Sequence, residues 1–313
     1  SYFGEGVGAA WVPGTTTCHW NGKVFEPKKP LGPGKPREEK IFYIPAQRVL
    51  MLSTDWPRDF MSYGITDPFV LRSYSERVRL LMEAGLGRGK GAIFPQTGRL
   101  KQVERKLLSA NLFSGGRLVV SRAGGRRRIM LQFGDRQLPP VVWSAGQREF
   151  VPLLLGLYHL LPSAKISRRD QYDWVVIEEP EMGLHPAAVS SVMLLVFDLM
   201  ARGYRVVLST HSNYILSMIW AVTTLTSKGS DPRRLVEVLG YPAGQATQPL
   251  GQTLGLASIK TYYFERRDAG SSTIDISELD PGSSDSRMSG WGGIAKYPNE
   301  LVDRVATIVA ERE

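Results

Sequence analysis

Apolar residues along the chain fall into runs of two kinds. Trp174–Ile177 and Arg205–Leu208 carry short, continuous apolar runs, as expected of strands buried on both faces of a sheet. Ala145–Leu161, Pro186–Met200 and Asn213–Thr224 are apolar stretches of helical length. Their order alternates helix and strand, which predicts an α/β layer with parallel strands. Upstream, Ile41–Ile44 is a short apolar strand that stops at Pro45. Residues 72–84 place Val78, Leu81 and Met82 on one helical face, and Leu100–Leu112 predicts a second helix. Residues 85–98 between them read as a loop. Arg117–Phe133 predicts a hairpin turning at Gly124-Gly125, and Leu254–Ile276 a second one around Asp268–Ser272. Near the N-terminus, Asn21-Gly22 predicts a two-residue turn between Thr16–Trp20 and Lys23–Phe25, because both turn positions need positive φ. Pro298–Glu313 reads as a final helix.

Charge changes this picture locally. The net charge is +9, but Arg72–Arg136 alone holds 15 basic and 4 acidic residues, so the remainder sums to −2. The chain is therefore not uniformly basic; it is an ordinary globular sequence with one basic segment. Its single cysteine, Cys18, excludes an internal disulfide framework and a thiolate zinc site, and fits a reducing compartment. The four histidines, His19, His159, His185 and His211, show no metal-ligand spacing. No apolar run reaches the roughly 18–20 residues of a membrane-spanning helix, so a cytoplasmic protein without a membrane partner is expected.

Three motifs carry candidate chemistry. The first, Trp143-Ser-Ala-Gly-Gln-Arg-Glu149, opens a helix, with Ser144 at the N-cap and Gln147 at the capping-box position. Small Ala145 and Gly146 leave its N–H groups open, and a helix start of this kind can hold an anion. The second, Trp174-Val-Val-Ile-Glu-Glu-Pro-Glu181, ends a strand in two carboxylates, at the sheet edge where ligands bind in open α/β folds. There Glu178 can hold Mg²⁺ and Glu179 can orient or deprotonate a water attacking a γ-phosphate. The third, Val206-Val-Leu-Ser-Thr-His-Ser212, ends the next strand in an imidazole, His211, able to reach a γ-phosphate or that water. Each motif alone also fits a plain structural reading: a capped helix, an acidic loop and a core histidine.

Together and in this order, the motifs resemble those of ABC-class ATPases. SAGQRE is similar to their signature, EEPE followed by Met182-Gly-Leu-His-Pro186 to Walker B and the D-loop, and STHS to the switch-histidine loop. The forms resemble the non-transporter branch: the OLD family, RecF- and SMC-like ATPases and the AAA-labelled bacterial defence ATPases. The resemblance implies an ABC-type (P-loop NTPase) α/β fold with a parallel-sheet core, a β-rich N-terminal segment and a helical insertion. It divides the chain at 1–50, 51–140 and 141–313, the last carrying the ATPase core. It implies ATP and Mg²⁺ as cofactors, Glu178 at the magnesium position, Glu179 as base and His211 as switch histidine. Ser144, Gly146 and Gln147 then face the γ-phosphate held by a second protomer, Gly183, Leu184 and His185 line the dimer interface, and Gln47 is the Q-loop glutamine.

One element departs from the family. No G-x-x-x-x-G-K-[ST] loop is present; Ala84–Gly91 and Gly32–Lys35 are the nearest stretches, and both fail on residues or spacing. The resemblance places the phosphate loop upstream of residue 1. The expected function is an ATPase that dimerises around ATP and switches a partner effector, a nuclease among the candidates, in antiphage defence. The alternatives are a non-hydrolysing ABC-like scaffold and a DNA-repair-associated ATPase. The basic segment Arg72–Arg136 offers a surface for nucleic acid or for an acidic protein, or is simply a solvated face. The acids after His211 show no convincing nuclease arrangement.

Overall fold

The computed structural model describes residues 8–9, 18–20, 25–27, 40–86, 92–122, 125–162, 168–267 and 270–310. They fall into two compact units: residues 40–257, and residues 1–39 together with 258–313. In the second unit, β1 (Gly8–Ala9), β2 (Cys18–Trp20) and β3 (Phe25–Pro27) form an antiparallel sheet. Trp20 pairs with Phe25, so four residues join β2 to β3 instead of the expected Asn21-Gly22 pair alone. Residues 21–24 themselves lie outside the described residues.

Residues 40–257 open with β4 (Ile41–Ile44), then α1 (Phe69–Glu83) and α2 (Gln102–Leu108). The helix expected to run to Leu112 instead finishes in one π turn, Ser109–Phe113, capped by left-handed Ser114. β5 (Arg117–Ser121) and β6 (Arg128–Phe133) pair as the expected hairpin, and β7 (Arg136–Leu138) adds a third antiparallel strand. The sequence α3 (Ala145–Leu160), β8 (Trp174–Glu178), α4 (Pro186–Ala201), β9 (Arg205–Ser209), α5 (Asn213–Ser227) then follows the predicted alternation. Two further helices, α6 (Pro232–Val238) and α7 (Gln248–Leu256), close the unit. Leu254–Leu256, expected to begin a hairpin, end α7 instead.

β4, β8 and β9 form a parallel sheet in the order β4-β8-β9. Only one of its faces is well covered. Phe42, Ile44, Val175 and Ile177 share that face and are fully buried. On the other, Ile41 is 39% exposed and Val207 44% exposed, so these strands are not buried on both sides as their apolar runs predicted. The covered face meets α1 and α3. Phe42 stacks on His159 of α3 with ring centroids 5.0 Å apart and meets Tyr74 of α1 edge-on at 6.0 Å. Tyr74 also donates to the carbonyl of Pro152 within α3 at 2.7 Å. Gly156 makes that crossing possible, since a Cβ there would collide with the Tyr74 ring.

The remainder of the chain forms a hairpin of β10 (Tyr262–Arg267) and β11 (Gly270–Asp275), then α8 (Ser286–Ser289) and α9 (Lys296–Ala310). Arg267 pairs with Gly270, so the turn falls at residues 268–269, outside the described residues. Among the described residues no helix is long and apolar enough to cross a membrane.

Candidate functional site

The apolar run of β8 ends in Glu178, level with Ser209 at the end of β9. This is the carboxyl edge of the parallel sheet, as the motif spacing predicted. The Glu178 carboxylate accepts from Tyr43 Oη at 2.5 Å and from the Ala46 N–H at 2.8 Å. Both donors come from the end of β4, so Glu178 is anchored toward that strand. Burial, reinforced by the hydrogen bond to Glu178, pushes the Tyr43 phenol well above its usual pKa and keeps it a donor.

The next residue takes an unusual backbone conformation. Glu179 has φ +42°, a left-handed value that costs a non-glycine residue energy and persists where neighbours over-determine it. Its N–H donates to the Ser209 carbonyl at 2.9 Å, and its carbonyl accepts from Arg48 Nη2 at 2.9 Å. The turn projects its carboxylate toward the end of β9, where Glu179 Oε1 lies 3.9 Å from His211 Nε2. His211 is 84% exposed and Glu179 37%, so both are open to a ligand.

Glu181 supplies the other tie. Its Oε1 accepts from Thr210 Oγ1 at 2.6 Å and from the His211 N–H at 2.7 Å. The loop after β9 is thereby fixed to the loop after β8, which sets where the imidazole of His211 can swing.

Beneath these loops lies Arg48, fully buried in the 3₁₀ turn Ala46–Leu52. Its guanidinium donates to four carbonyls: Glu178 at 2.8 Å, Glu179 at 2.9 Å, and Pro45 and Glu149 at 3.3 Å. It thus joins the turn after β4, the first turns of α3 and the acidic end of β8. Burial lowers its pKa, while Tyr74, Glu149, Glu179 and Glu181 favour its charge. Glu149 Oε2 and Glu181 Oε2 are buried without a hydrogen-bond partner among the described residues, and burial raises the Glu149 pKa. Neither Arg48 nor Glu149 stood out in the sequence. The available signal was a lone arginine just ahead of the apolar run Val49–Leu52.

At the start of α3 the predicted capping box is present. Ser144 Oγ accepts from the Gln147 N–H at 3.2 Å, and the Ser144 N–H donates to Gln147 Oε1 at 3.1 Å. Gln147 also donates through Nε2 to the Leu112 carbonyl at 3.1 Å, which fixes its side chain to the π turn. Gly146 sits against the Gly183–Leu184 turn: a Cβ there would lie 3.0 Å from the Gly183 carbonyl oxygen. Gly183 has φ +69°, so that turn too requires glycine. His185 caps α4, its Nδ1 accepting from the Ala187 N–H at 3.2 Å. Gln47 is exposed on the 3₁₀ turn after β4, next to Ala46, which binds Glu178.

The structure therefore gathers Glu178, Glu179 and His211 at one sheet edge, with Gln47 beside them on the turn after β4. It sets Ser144, Gly146 and Gln147 against Gly183 and Leu184. Among the described residues no group of three or more His, Cys, Asp or Glu side chains could hold a metal. Mg²⁺ usually takes one or two acidic ligands and the rest of its shell from water and phosphate; Glu178, whose two oxygens already accept from Tyr43 and Ala46, has lone pairs left for a metal-bound water. Of the glycine-rich stretches, Gly32–Lys35 and residues 87–91 lie outside the described residues, while Ala84 to Leu86 follow the end of helix α1 rather than a strand.

No curated protein matches the chain, and no solved structure does. The parallel three-stranded sheet flanked by helices is consistent with a P-loop NTPase fold. Residues 67–217 match the model of a P-loop NTPase family described as "AAA domain, putative AbiEii toxin, Type IV TA system", which supports an AAA/ABC-like ATPase.

Proposed function

We propose that this protein is an ATPase of the ABC-like kind, in which two chains close around ATP and Mg²⁺ and switch a partner effector. The observation that carries this reading is the meeting of Glu178, Glu179 and His211 at the carboxyl edge of the parallel sheet. Glu178, anchored by Tyr43 and Ala46, presents a fixed carboxylate to a metal-bound water. Glu179 is the proton acceptor for the attacking water. His211, held at its backbone by Glu181, stands 3.9 Å away and orients that water or contacts the γ-phosphate. ATP with Mg²⁺ supplies the phosphoryl group and its charge neutralisation. At the helix start Ser144–Gln147 the capping box occupies the Ser144 and Gln147 N–H groups, and those of Ala145 and Gly146 face the nucleotide of a second chain. The matched family's description supports a toxin-type setting, and antiphage defence is its expected context.

A non-hydrolysing scaffold is the second reading. It is favoured by the lack, among the described residues, of a lysine-bearing glycine loop between a strand and a helix to cradle the β- and γ-phosphates. Phosphate release by the full-length protein separates the two. Glu179→Gln is expected to cut turnover by 10²-fold or more while ATP binding, read by a fluorescent analogue, survives. Unchanged turnover in Glu179→Gln would remove Glu179 from the chemistry. ATP binding without turnover in the parent protein would select the scaffold.

A further inference from the structure

Glu179 poses a positioning problem. A group that takes a proton from a water has to be held within hydrogen-bond reach of it. Yet among the described residues no hydrogen bond reaches the Glu179 side chain, and His211 Nε2 stands off at 3.9 Å. The carboxylate is therefore aimed by the backbone, whose φ of +42° turns the chain out of β8. Holding that conformation means holding two peptide planes, one on each side of the Glu179 Cα, because φ and ψ describe how those planes are rotated.

Arg48 holds both planes. Its Nη1 donates to the Glu178 carbonyl at 2.8 Å and its Nη2 to the Glu179 carbonyl at 2.9 Å. The first carbonyl belongs to the plane before the Glu179 Cα, the second to the plane after it. The second plane ends in Pro180, which has no N–H, so its carbonyl is the only polar group by which it can be held. The Met182 N–H shares that carbonyl at 3.2 Å, from within the same loop. The guanidinium is itself fixed from outside the loop. Nε reaches the Glu149 carbonyl in α3, and Nη1 also reaches the Pro45 carbonyl just after β4, both at 3.3 Å. A guanidinium is planar and rigid, so fixing it sets the spacing of the two carbonyls together.

We propose that Arg48 is the positioning residue of the Glu179 carboxylate: its fork locks the peptide planes on both sides of Glu179, and α3 and the end of β4 lock the fork. The part of this that concerns turnover rests on reading Glu179 as the proton acceptor. Arg48 is fully buried and touches no reacting atom; it acts through Glu179 alone. Lysine keeps the buried charge but not the fork, so it cannot hold both carbonyls at a fixed spacing.

Phosphate release by the full-length protein, its Arg48→Lys and Glu179→Gln variants and the double variant tests it, with urea unfolding to confirm that each is folded. Arg48→Lys is expected to lower kcat about 10–100-fold while KM for ATP stays within about twofold. In the Glu179→Gln background the same substitution should change turnover by less than about twofold, because no carboxylate remains to be aimed. An Arg48 that served only the fold would cost the same factor in both backgrounds, which would overturn the proposal. Leu254→Ala in α7, a fully buried residue outside these loops, should lose stability and keep kcat. A crystal structure of Arg48→Lys without nucleotide gives a readout independent of turnover. Glu179 is expected to leave the left-handed region and its carboxylate to move from His211; an unchanged turn would overturn the proposal whether or not the protein hydrolyses ATP. A parent protein that releases no phosphate would end the ATPase reading, and the crystal structure would still decide what Arg48 holds.

Discussion

Arg48 donates to four carbonyls and has no carboxylate hydrogen-bonded to it, so its value lies in geometry more than in charge pairing. Replacing it with methionine removes a buried cation, which is favourable, but takes one donor from each of four carbonyls; Pro45 and Glu179 keep the backbone N–H groups of residue 48 and Met182, and each carbonyl left without a donor costs about 1–3 kcal/mol where water cannot enter. The expected net effect of Arg48→Met is a loss of about 2–4 kcal/mol in urea unfolding, with Arg48→Lys intermediate because an ammonium cannot span all four. An unchanged urea midpoint would show that water satisfies these carbonyls. Legibility at this scale was uneven. Glu178, Glu179 and His211 were visible because each ends an apolar run, where a charged residue has to serve something. Arg48 was not, because backbone acceptors from two distant segments, Glu149 and Glu178-Glu179, leave no trace in sequence.

Among the elements, α2 and α4 are joined by a buried ionic cluster. Asp198 of α4 takes Lys101 at 2.5 Å and Arg202 at 2.7 Å. Beside it Glu104 of α2, 1% exposed, accepts the Lys101 N–H at 2.6 Å. Burial, with the Asp198 charge adding to it, pushes the Glu104 carboxyl up to about 7 from an ordinary 4.5. Between those values the folded chain keeps a proton that the unfolded chain has released. Stability from this group is therefore full at low pH, falls as pH rises through that window and is constant above it. The expected change is on the order of 3 kcal/mol. Glu104→Gln keeps the acceptor for Lys101 and should flatten the slope between pH 5 and 7.5 in urea titrations; parallel slopes for parent and variant would assign the pH dependence elsewhere. Most elements were legible from periodicity. The π turn after α2, the third strand β7 and the helices α6 and α7 were not, because short pieces carry too few residues to show a period.

On the scale of the whole molecule, the exposed start of α3 and the exposed Glu179–His211 pair are the surfaces that a second chain would join. The proposed ATP sandwich predicts that Glu179→Gln protein with ATP and Mg²⁺ sediments as a dimer and returns to monomer on dilution without nucleotide. Ser144→Arg in the same background should remain monomeric, since the added side chain fills the contact. A parent chain that sediments identically with and without ATP would leave the composite site without support. Charge follows the same scale. The +9 excess sits in one segment, in which Arg79, Arg99 and Lys101 are engaged within the fold while Arg117, Arg122, Arg126 and Arg136 face solvent.

The sequence by itself determined the alternation of strands and helices, the parallel layer, the capping box at Ser144 and the placement of two acids and a histidine at strand ends. These follow from local periodicity and from residues next to one another in the chain. Only the tertiary structure decided that Glu178 is held from β4, that Glu179 sits in a left-handed turn facing His211, and that Arg48 ties three segments together. It also decided which face of the sheet is covered and which arginines remain free. Each of these depends on groups tens to more than a hundred residues apart, whose meeting is set by packing and hydrogen bonding rather than by any spacing along the chain.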